Sequence, residues 1–274
     1  MIKLRDEISQ LISIKSGVPQ GSALGPILYL LYTADIPKSF NTIVATFADD
    51  TTILATSKIP RYASEKLQEG LNTIQPWLRK WRIKVNENKC QHVTFTLRKE
   101  TCPTVRLNGK QLPQSESAKY LGLHLDRRLN WKTHIFTKRK QLGLKLSKLY
   151  WLMGRKSKLS LDCKITIYKT ILKPVWSYGI QLWGTASVSN IEILQRFQSK
   201  VLRTITDAPW FVTNETLHKN FEIPYVCEVA RCASEKYLKR LEQHPNTLVV
   251  NLLDNNNQNY RLKRWDPLDL SYRF

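Results

Sequence analysis

Two adjacent carboxylates, Asp49 and Asp50, sit between short β-prone runs in the stretch Val44-Ala-Thr-Phe47-Ala-Asp49-Asp50-Thr-Thr-Ile-Leu-Ala55. Runs of this length and composition, broken by polar residues, fold back on each other as an antiparallel hairpin. The acidic pair then stands at the tip, where its oxygens face outward. Carboxylate oxygens are the hard donors that Mg²⁺ accepts in near-octahedral geometry. Alone, such a pair is more often a solvated turn former than a metal site.

A second segment, Gly17-Val18-Pro19-Gln20-Gly21-Ser22, precedes the hairpin by a distance that fits one helix. Pro19 fixes the chain direction. Gly17 and Gly21 leave room for a backbone to approach a base or sugar, and Gln20 offers an amide donor and acceptor at a helix start. The plain alternative is a tight strand-to-helix turn. Residues 8–18 alternate loosely and read as a strand. Ser22–Ile36 reads as a helix with Leu24, Ile27, Leu28 and Leu31 on one face and Pro37 as its stop.

Farther along, Leu67, Leu71, Ile74, Leu78 and Trp81 recur at helical spacing, with Pro76 as a kink or break. Val93, Phe95 and Leu97 alternate as a strand, Asn108-Gly109 marks a hairpin turn within 105–112, and 119–125 is a further strand. Strand, helix, hairpin, helix, strand, hairpin, strand is the order of an α+β domain with a mostly antiparallel sheet over 1–125. Beyond Asp126 only helices are expected, to about residue 245, and then a loosely ordered tail over 246–274. Their markers are Ile135 to Met153, then Ile165 to Ile171 closed by Pro174. Ser189-x-x-Glu192 reads as a capping box opening a third helix, and Val226 to Leu241 marks a fourth.

The chain carries 43 Lys and Arg against 22 Asp and Glu, a formal net charge of +21. Between Asp126 and Lys173 there are 14 basic and 2 acidic residues, so +12 of that excess falls in 48 residues. A concentration of this kind predicts a phosphate-binding surface. Its candidates are Lys138, Arg139, Lys140, Lys145, Lys148, Arg155, Lys156 and Lys158. Trp151, Trp176 and Trp183 could stack on bases, although their apolar neighbours favour the core. The five cysteines are scattered without disulfide or zinc-ligand spacing. No apolar run reaches the length of a membrane span.

Taken together, these motifs resemble the reverse transcriptases of non-LTR retrotransposons, especially the jockey-like mobile elements of arthropods. Gly17-Val-Pro-Gln-Gly-Ser-Ala-Leu-Gly-Pro-Ile-Leu-Tyr-Leu-Leu-Tyr32 is similar to the helix-leading motif lining their nucleotide and template site. Phe47-Ala-Asp-Asp50 is similar to their metal-binding catalytic hairpin. Trp77-Leu-x-x-Trp81 followed by Asn86-x-x-Lys89 resembles the next motif, and Tyr120-Leu121-Gly122 the primer grip. Tyr168 to Pro174, Tyr178-Gly179, Leu182-Trp-Gly184, Gln195 to Gln198, Ala208-Pro-Trp210, Leu262-Lys-Arg264 and Pro267-Leu-Asp269 extend the likeness over nearly the whole chain.

The resemblance implies a partial palm over 1–125 and a thumb-like helical region over 126–245. It implies two Mg²⁺ ions at Asp49 and Asp50, and RNA template, DNA primer or target, and dNTPs as partners. Lys89 becomes a general-acid candidate, beside its reading as an exposed loop lysine. A cytoplasmic ribonucleoprotein and the nucleus are the implied locations. One departure stands out. The family's first catalytic Asp lies on a strand well upstream of the Gly-Val-Pro-Gln-Gly motif. Here 16 residues precede Gly17, with Asp6 as their only Asp. The fingers and endonuclease regions that precede the core in the family are absent too. The expectation is therefore little or no polymerase activity from this chain alone, with a non-enzymatic nucleic-acid-binding remnant as the alternative.

Overall fold

A computed structural model describes residues 3–4, 7–8, 17–19 and 21–250. Asp6, Gln20, most of the strand expected over 8–18 and the tail beyond residue 250, with Leu262–Arg264 and Pro267–Asp269, lie outside the described residues. The fold is mixed, with small antiparallel hairpins and many helices, as the α+β expectation holds. The strands do not join into one sheet among the described residues. Each pairs only with its sequence neighbour, in four two-stranded hairpins.

The first compact unit comprises the described residues up to His92 together with Glu100–Gln114. It begins with β1 (Lys3–Leu4) and β2 (Glu7–Ile8), followed by helix α1 (Leu24–Tyr32). The hairpin β3 (Ile43–Phe47) and β4 (Asp50–Leu54) comes next, in the register Ile43↔Leu54 to Phe47↔Asp50. Helix α2 runs without a break over Pro60–Lys80, and β5 (Arg106–Leu107) pairs with β6 (Lys110–Gln111) about Asn108-Gly109.

Pro76 neither splits nor ends α2. The carbonyl that loses its partner belongs to Asn72, and both residues lie on the exposed side, where water can serve it. The opposite face of α2 carries Leu71, Ile74 and Trp77 inward. Leu71 joins Val105, Leu107 and Leu112 in the small core of this unit. Gln68 fixes α2 to β5 by donating to the Arg106 carbonyl (2.9 Å) and accepting its amide (2.7 Å). The stretch from Val93 to Leu97 has strand-like alternation but forms no strand, because no neighbouring strand pairs with it.

The second unit comprises Val93–Lys99 and the described residues from Ser115 onward. Its strands β7 (Ser117–Tyr120) and β8 (Leu123–Asp126) form a hairpin where a single strand was expected. The turn uses Leu121 at φ 45° and Gly122 at φ 78°, and a leucine in that conformation carries no turn signal in sequence. The helices are α3 (Lys132–Met153), α4 (Leu161–Ile167), α5 (Lys173–Ser177), α6 (Ile180–Trp183), α7 (Val188–Thr206), α8 (Asn214–Asn220), α9 (Val226–Glu242) and α10 (Thr247–Val250).

Pro174 does not close its helix. A π-helical turn over Tyr168–Leu172 widens the spiral just before the ring, and Pro174 then sits in the first turn of α5. The expected capping box at Ser189 is absent as well. The N-cap of α7 is Ser187, without a side-chain cap bond. The core is large and aromatic, with Tyr168, Trp176, Trp183 and Phe197 all at or below 1% exposure.

The β7–β8 hairpin belongs to this helical unit, so contacts divide near residue 115 rather than at 125/126. Four observations explain why. Leu123 lies in the helical core. The Tyr178 hydroxyl donates to the Leu121 carbonyl (2.8 Å), and a Cβ on Gly179 would come within 2.8 Å of Leu123. The fourth is His134 of α3, fully buried, whose Nδ1 accepts the His124 amide (3.2 Å).

Burial, reinforced by Lys138 and His124, pushes the His134 pKa down to about 4, so the neutral imidazole makes this bond. In the unfolded chain the ring takes a proton near its ordinary 6.5. The unfolded state thus binds more protons between those values, and stability falls as pH drops through that window. Thermal midpoints measured from pH 7 to about 4 are expected to decline, and less steeply in His134→Gln. An unchanged decline in that variant would remove His134 as the cause.

Candidate active site

The β3–β4 hairpin is short, and its turn holds only Ala48 and Asp49. Ala48 adopts φ 50°, the left-handed conformation that two-residue hairpin turns demand. A side chain held there costs about 1 kcal/mol, a load that functional turns commonly carry. Asp50 opens β4 opposite Phe47. Both carboxylates are exposed, and neither has a hydrogen-bond or ion-pair partner among the described residues. Their oxygens are thus available to a divalent cation. The donor type suits Mg²⁺, which keeps waters in its shell and needs only one or two carboxylates plus phosphate oxygens. Among the described residues no group of three or more His, Cys, Asp or Glu side chains converges to complete a metal site.

Upstream, Gly17 and Gly21 adopt φ 88° and 87°, where a side chain would be strained. The Ser22 amide donates to the Pro19 carbonyl (3.1 Å), which closes a turn. The Ser22 hydroxyl accepts the Leu24 amide (3.2 Å) and starts α1. This helix stops at Tyr32, ahead of Pro37, where the Thr33 amide and hydroxyl both bind the Tyr29 carbonyl. None of its residues is buried, and Leu31 is 68% exposed.

Trp77 in the last turn of α2 and Trp81, its C-cap residue, both donate their indole N–H groups to the Asp35 carboxylate, at 2.8 and 3.1 Å. The Tyr32 hydroxyl donates to the Trp81 carbonyl. The tryptophan pair therefore fastens the end of α1 to α2. Asp35 was not legible as its partner, since nothing local links positions 42 residues apart.

Lys89 sits exposed in a turn closed by its own amide and the Asn86 carbonyl (3.0 Å). It makes no hydrogen bond or ion pair with Asp49 or Asp50. Tyr120 ends β7, and Leu121-Gly122 form the turn against Tyr178. The Lys138 ammonium lies over the Tyr178 ring, 5.8 Å from its centroid.

Of the basic candidates on α3, Lys145 and Lys148 are exposed and flank the helix with half-buried Lys138. Lys140 is exposed on another side, and Arg139 folds over the Phe197 ring at 4.7 Å. Arg155, Lys156 and Lys158 are exposed in the segment after α3. Of the tryptophans, Trp176 and Trp183 are core residues and unavailable for stacking, whereas Trp151 is 73% exposed.

The hairpin thus presents two carboxylates without a partner among the described residues, and a glycine-proline turn leads α1. Residues 2–125 match the family described as reverse transcriptase (RNA-dependent DNA polymerase). This stretch is a reverse transcriptase domain. Similarity continues beyond the domain. The chain is 40% identical over 277 aligned residues, 99% of its length, to the probable RNA-directed DNA polymerase from transposon X-element of Drosophila melanogaster. It is 37% identical over 96% of its length to the RNA-directed DNA polymerase from mobile element jockey of the same fly, and 37% over 94% to the jockey protein of Drosophila funebris. The chain spans about 30% of the length of each of these relatives. No solved structure matches it. Within the reverse transcriptase domain, no helix of the described residues is long and apolar enough to cross a membrane, nor is any helix beyond it.

Proposed function

We propose that this chain supplies the catalytic hairpin and the nucleic-acid-holding helices of an RNA-directed DNA polymerase of a non-LTR retrotransposon. The observation that carries the proposal is the exposed, unpartnered Asp49–Asp50 tip within a reverse transcriptase domain. In this reading the first unit is part of a palm and the helical unit acts as a thumb. Asp49 and Asp50 would hold Mg²⁺, which would polarise the attacking 3′-hydroxyl and neutralise charge on the triphosphate. The turn at Gly17, Pro19 and Gly21, with Gln20, lies against the nucleotide and template. Tyr120, Leu121 and Gly122 hold the primer end, and Lys138, Lys145 and Lys148 follow the duplex backbone without reading sequence. Lys89 serves as a proton donor to the departing pyrophosphate.

A second reading is favoured by the absence of a third metal-binding side chain beside the hairpin among the described residues. On that reading the chain binds nucleic acid and does not polymerise. Primer extension on an RNA template with Mg²⁺, run beside salt-titrated binding, separates the two. Incorporation lost in Asp49→Asn supports the enzyme. Salt-sensitive binding with no incorporation supports the binder.

The polymerase reading also accounts for the open apolar surface of the first unit. Leu24, Ile27, Leu30 and Leu31 on α1 and Ile43 and Phe47 on β3 are all more than half exposed. Surfaces of this extent on soluble proteins are usually covered by a partner. In the proposed enzyme, upstream polymerase sequence covers them. The chain alone is expected to bind a hydrophobic dye strongly and to aggregate, and a version extended upstream to bind the dye less. Equal dye binding and equally cooperative unfolding would contradict this.

A further inference from the structure

The helical unit contains a groove of about 660 Å³ that the α3 lysines do not line. One side is the end of α3 and the segment after it, with Tyr150 and Arg155. The other is α7, where Arg196, Lys200 and Arg203 recur at four- and three-residue spacing and so share one helix face. Asp207 is the one acidic residue in the lining. None of Arg155, Arg196 and Lys200 has an ion-pair partner among the described residues, and all three are exposed. The groove therefore presents a row of positive charge along α7, with Asp207 in its lining and Glu215 and Glu228 near Tyr225 at its other end.

Arg203 does something different. Its Nε donates to the Asn214 side chain (3.0 Å), and its two terminal nitrogens donate to the carbonyls of Pro209 (3.2 Å) and Val212 (2.5 Å). One guanidinium thus pins both ends of the loop between α7 and α8 to the groove. Between the pinned carbonyls lie Trp210 and Phe211, in edge-to-face contact with centroids 6.1 Å apart. They are 90% and 68% exposed. Tryptophan is normally well buried, so one held open on a fastened loop is available to a ligand.

Asp207 and Asn214, which flank the loop, line the groove, so a positively charged groove adjoins a loop that carries exposed aromatic rings, an arrangement suited to single-stranded nucleic acid. The charges follow the backbone and the rings stack on bases, which every base permits. A duplex keeps its bases stacked inside and offers the rings nothing comparable. We infer that the groove between α3 and α7, with the Trp210–Phe211 loop at its edge, is a binding site for a single nucleic-acid strand. It is separate from the α3 face assigned above to the duplex backbone. The inference rests on the nucleic-acid reading of the helical unit but not on polymerase chemistry.

The test uses the full 274-residue chain and fluorescence anisotropy with a labelled single-stranded oligonucleotide and the matching duplex. The variants are Trp210→Ala, Phe211→Ala and the pair Arg196→Glu with Lys200→Glu, beside Lys145→Glu with Lys148→Glu on α3. Circular dichroism checks that each is folded, and both aromatic sites are exposed enough for truncation to leave the core alone. Loss of one stacked base weakens binding by about 5- to 150-fold. Trp210→Ala is therefore expected to weaken single-strand binding by at least about 5-fold and to leave duplex binding within about 2-fold. Arg196→Glu with Lys200→Glu should weaken single-strand binding and flatten its dependence on salt.

Unchanged single-strand affinity in both aromatic variants would overturn the proposal while leaving the nucleic-acid reading intact. So would an equal loss for strand and duplex, or a variant effect confined to dye binding, which would mark the rings as a protein contact. Failure of the wild-type chain to bind either nucleic acid would overturn both.

Discussion

Asp49→Asn and Asp50→Asn, each in a preparation that copies RNA, are expected to lower nucleotide incorporation by at least about 10²- to 10³-fold. A loss of that size follows when one charge-stabilising group is removed from a transition state, about 3–4 kcal/mol. The substitution keeps the shape of the side chain and removes only the charge with which a carboxylate would hold a cation. Both side chains are exposed, Asp49 in the two-residue turn and Asp50 at the start of β4, so the hairpin register and the folding of the unit should be untouched. Nucleic-acid binding, carried elsewhere, should survive. The useful comparison is therefore incorporation rate against binding affinity in the same protein. A parallel fall in both would mean that the tip contacts nucleic acid rather than metal. Incorporation that persists in the double variant would remove these carboxylates from the chemistry.

Trp183→Ala is expected to destabilise the helical unit by about 3–5 kcal/mol, the usual range for deleting a buried tryptophan. The ring is fully buried, and its indole N–H donates to the Tyr178 carbonyl (3.1 Å). That bond holds the residue before Gly179, which itself packs on Leu123. Truncation thus opens a cavity and loosens the seat of the β7–β8 turn at the same place. Against a typical total of about 5–15 kcal/mol, the loss is a large share. Trp151→Ala is the control. At 73% exposure its removal should change stability by less than about 0.5 kcal/mol. Urea unfolding followed by far-ultraviolet circular dichroism measures both. Equal midpoints for the two variants would contradict the assignment of Trp183 to the core.

The contrast between the two tryptophans shows what could be read from the chain and what could not. Periodicity reports which face a helix buries, and it located α2, α3, α7 and α9 within a few residues. The β3–β4 hairpin was legible because its turn, strands and acidic pair are all local. Features that depend on distant partners were not. Leu121 turns the chain because Tyr178, 57 positions away, caps its carbonyl. Pro174 is tolerated because a π-helical turn precedes it, and no composition signal announces that. Asp35 gains its role only when α2 brings Trp77 and Trp81 to it. The basic face of α7 did carry a signal, Arg196, Lys200 and Arg203 at helical spacing, but it lies outside the densest run of charge. A count of lysines and arginines therefore pointed to α3 first.

Copying of RNA is the most direct test of the central claim. A polypeptide that carries residues 1–274 together with upstream polymerase sequence should extend a DNA primer on an RNA template. The reaction should require Mg²⁺, insert the complement of each template base, and stop when Asp49 and Asp50 are both changed to Asn. Tight, salt-sensitive binding of primer and template by that polypeptide, with no incorporation at any Mg²⁺ concentration, would contradict the polymerase reading and leave a nucleic-acid-binding protein.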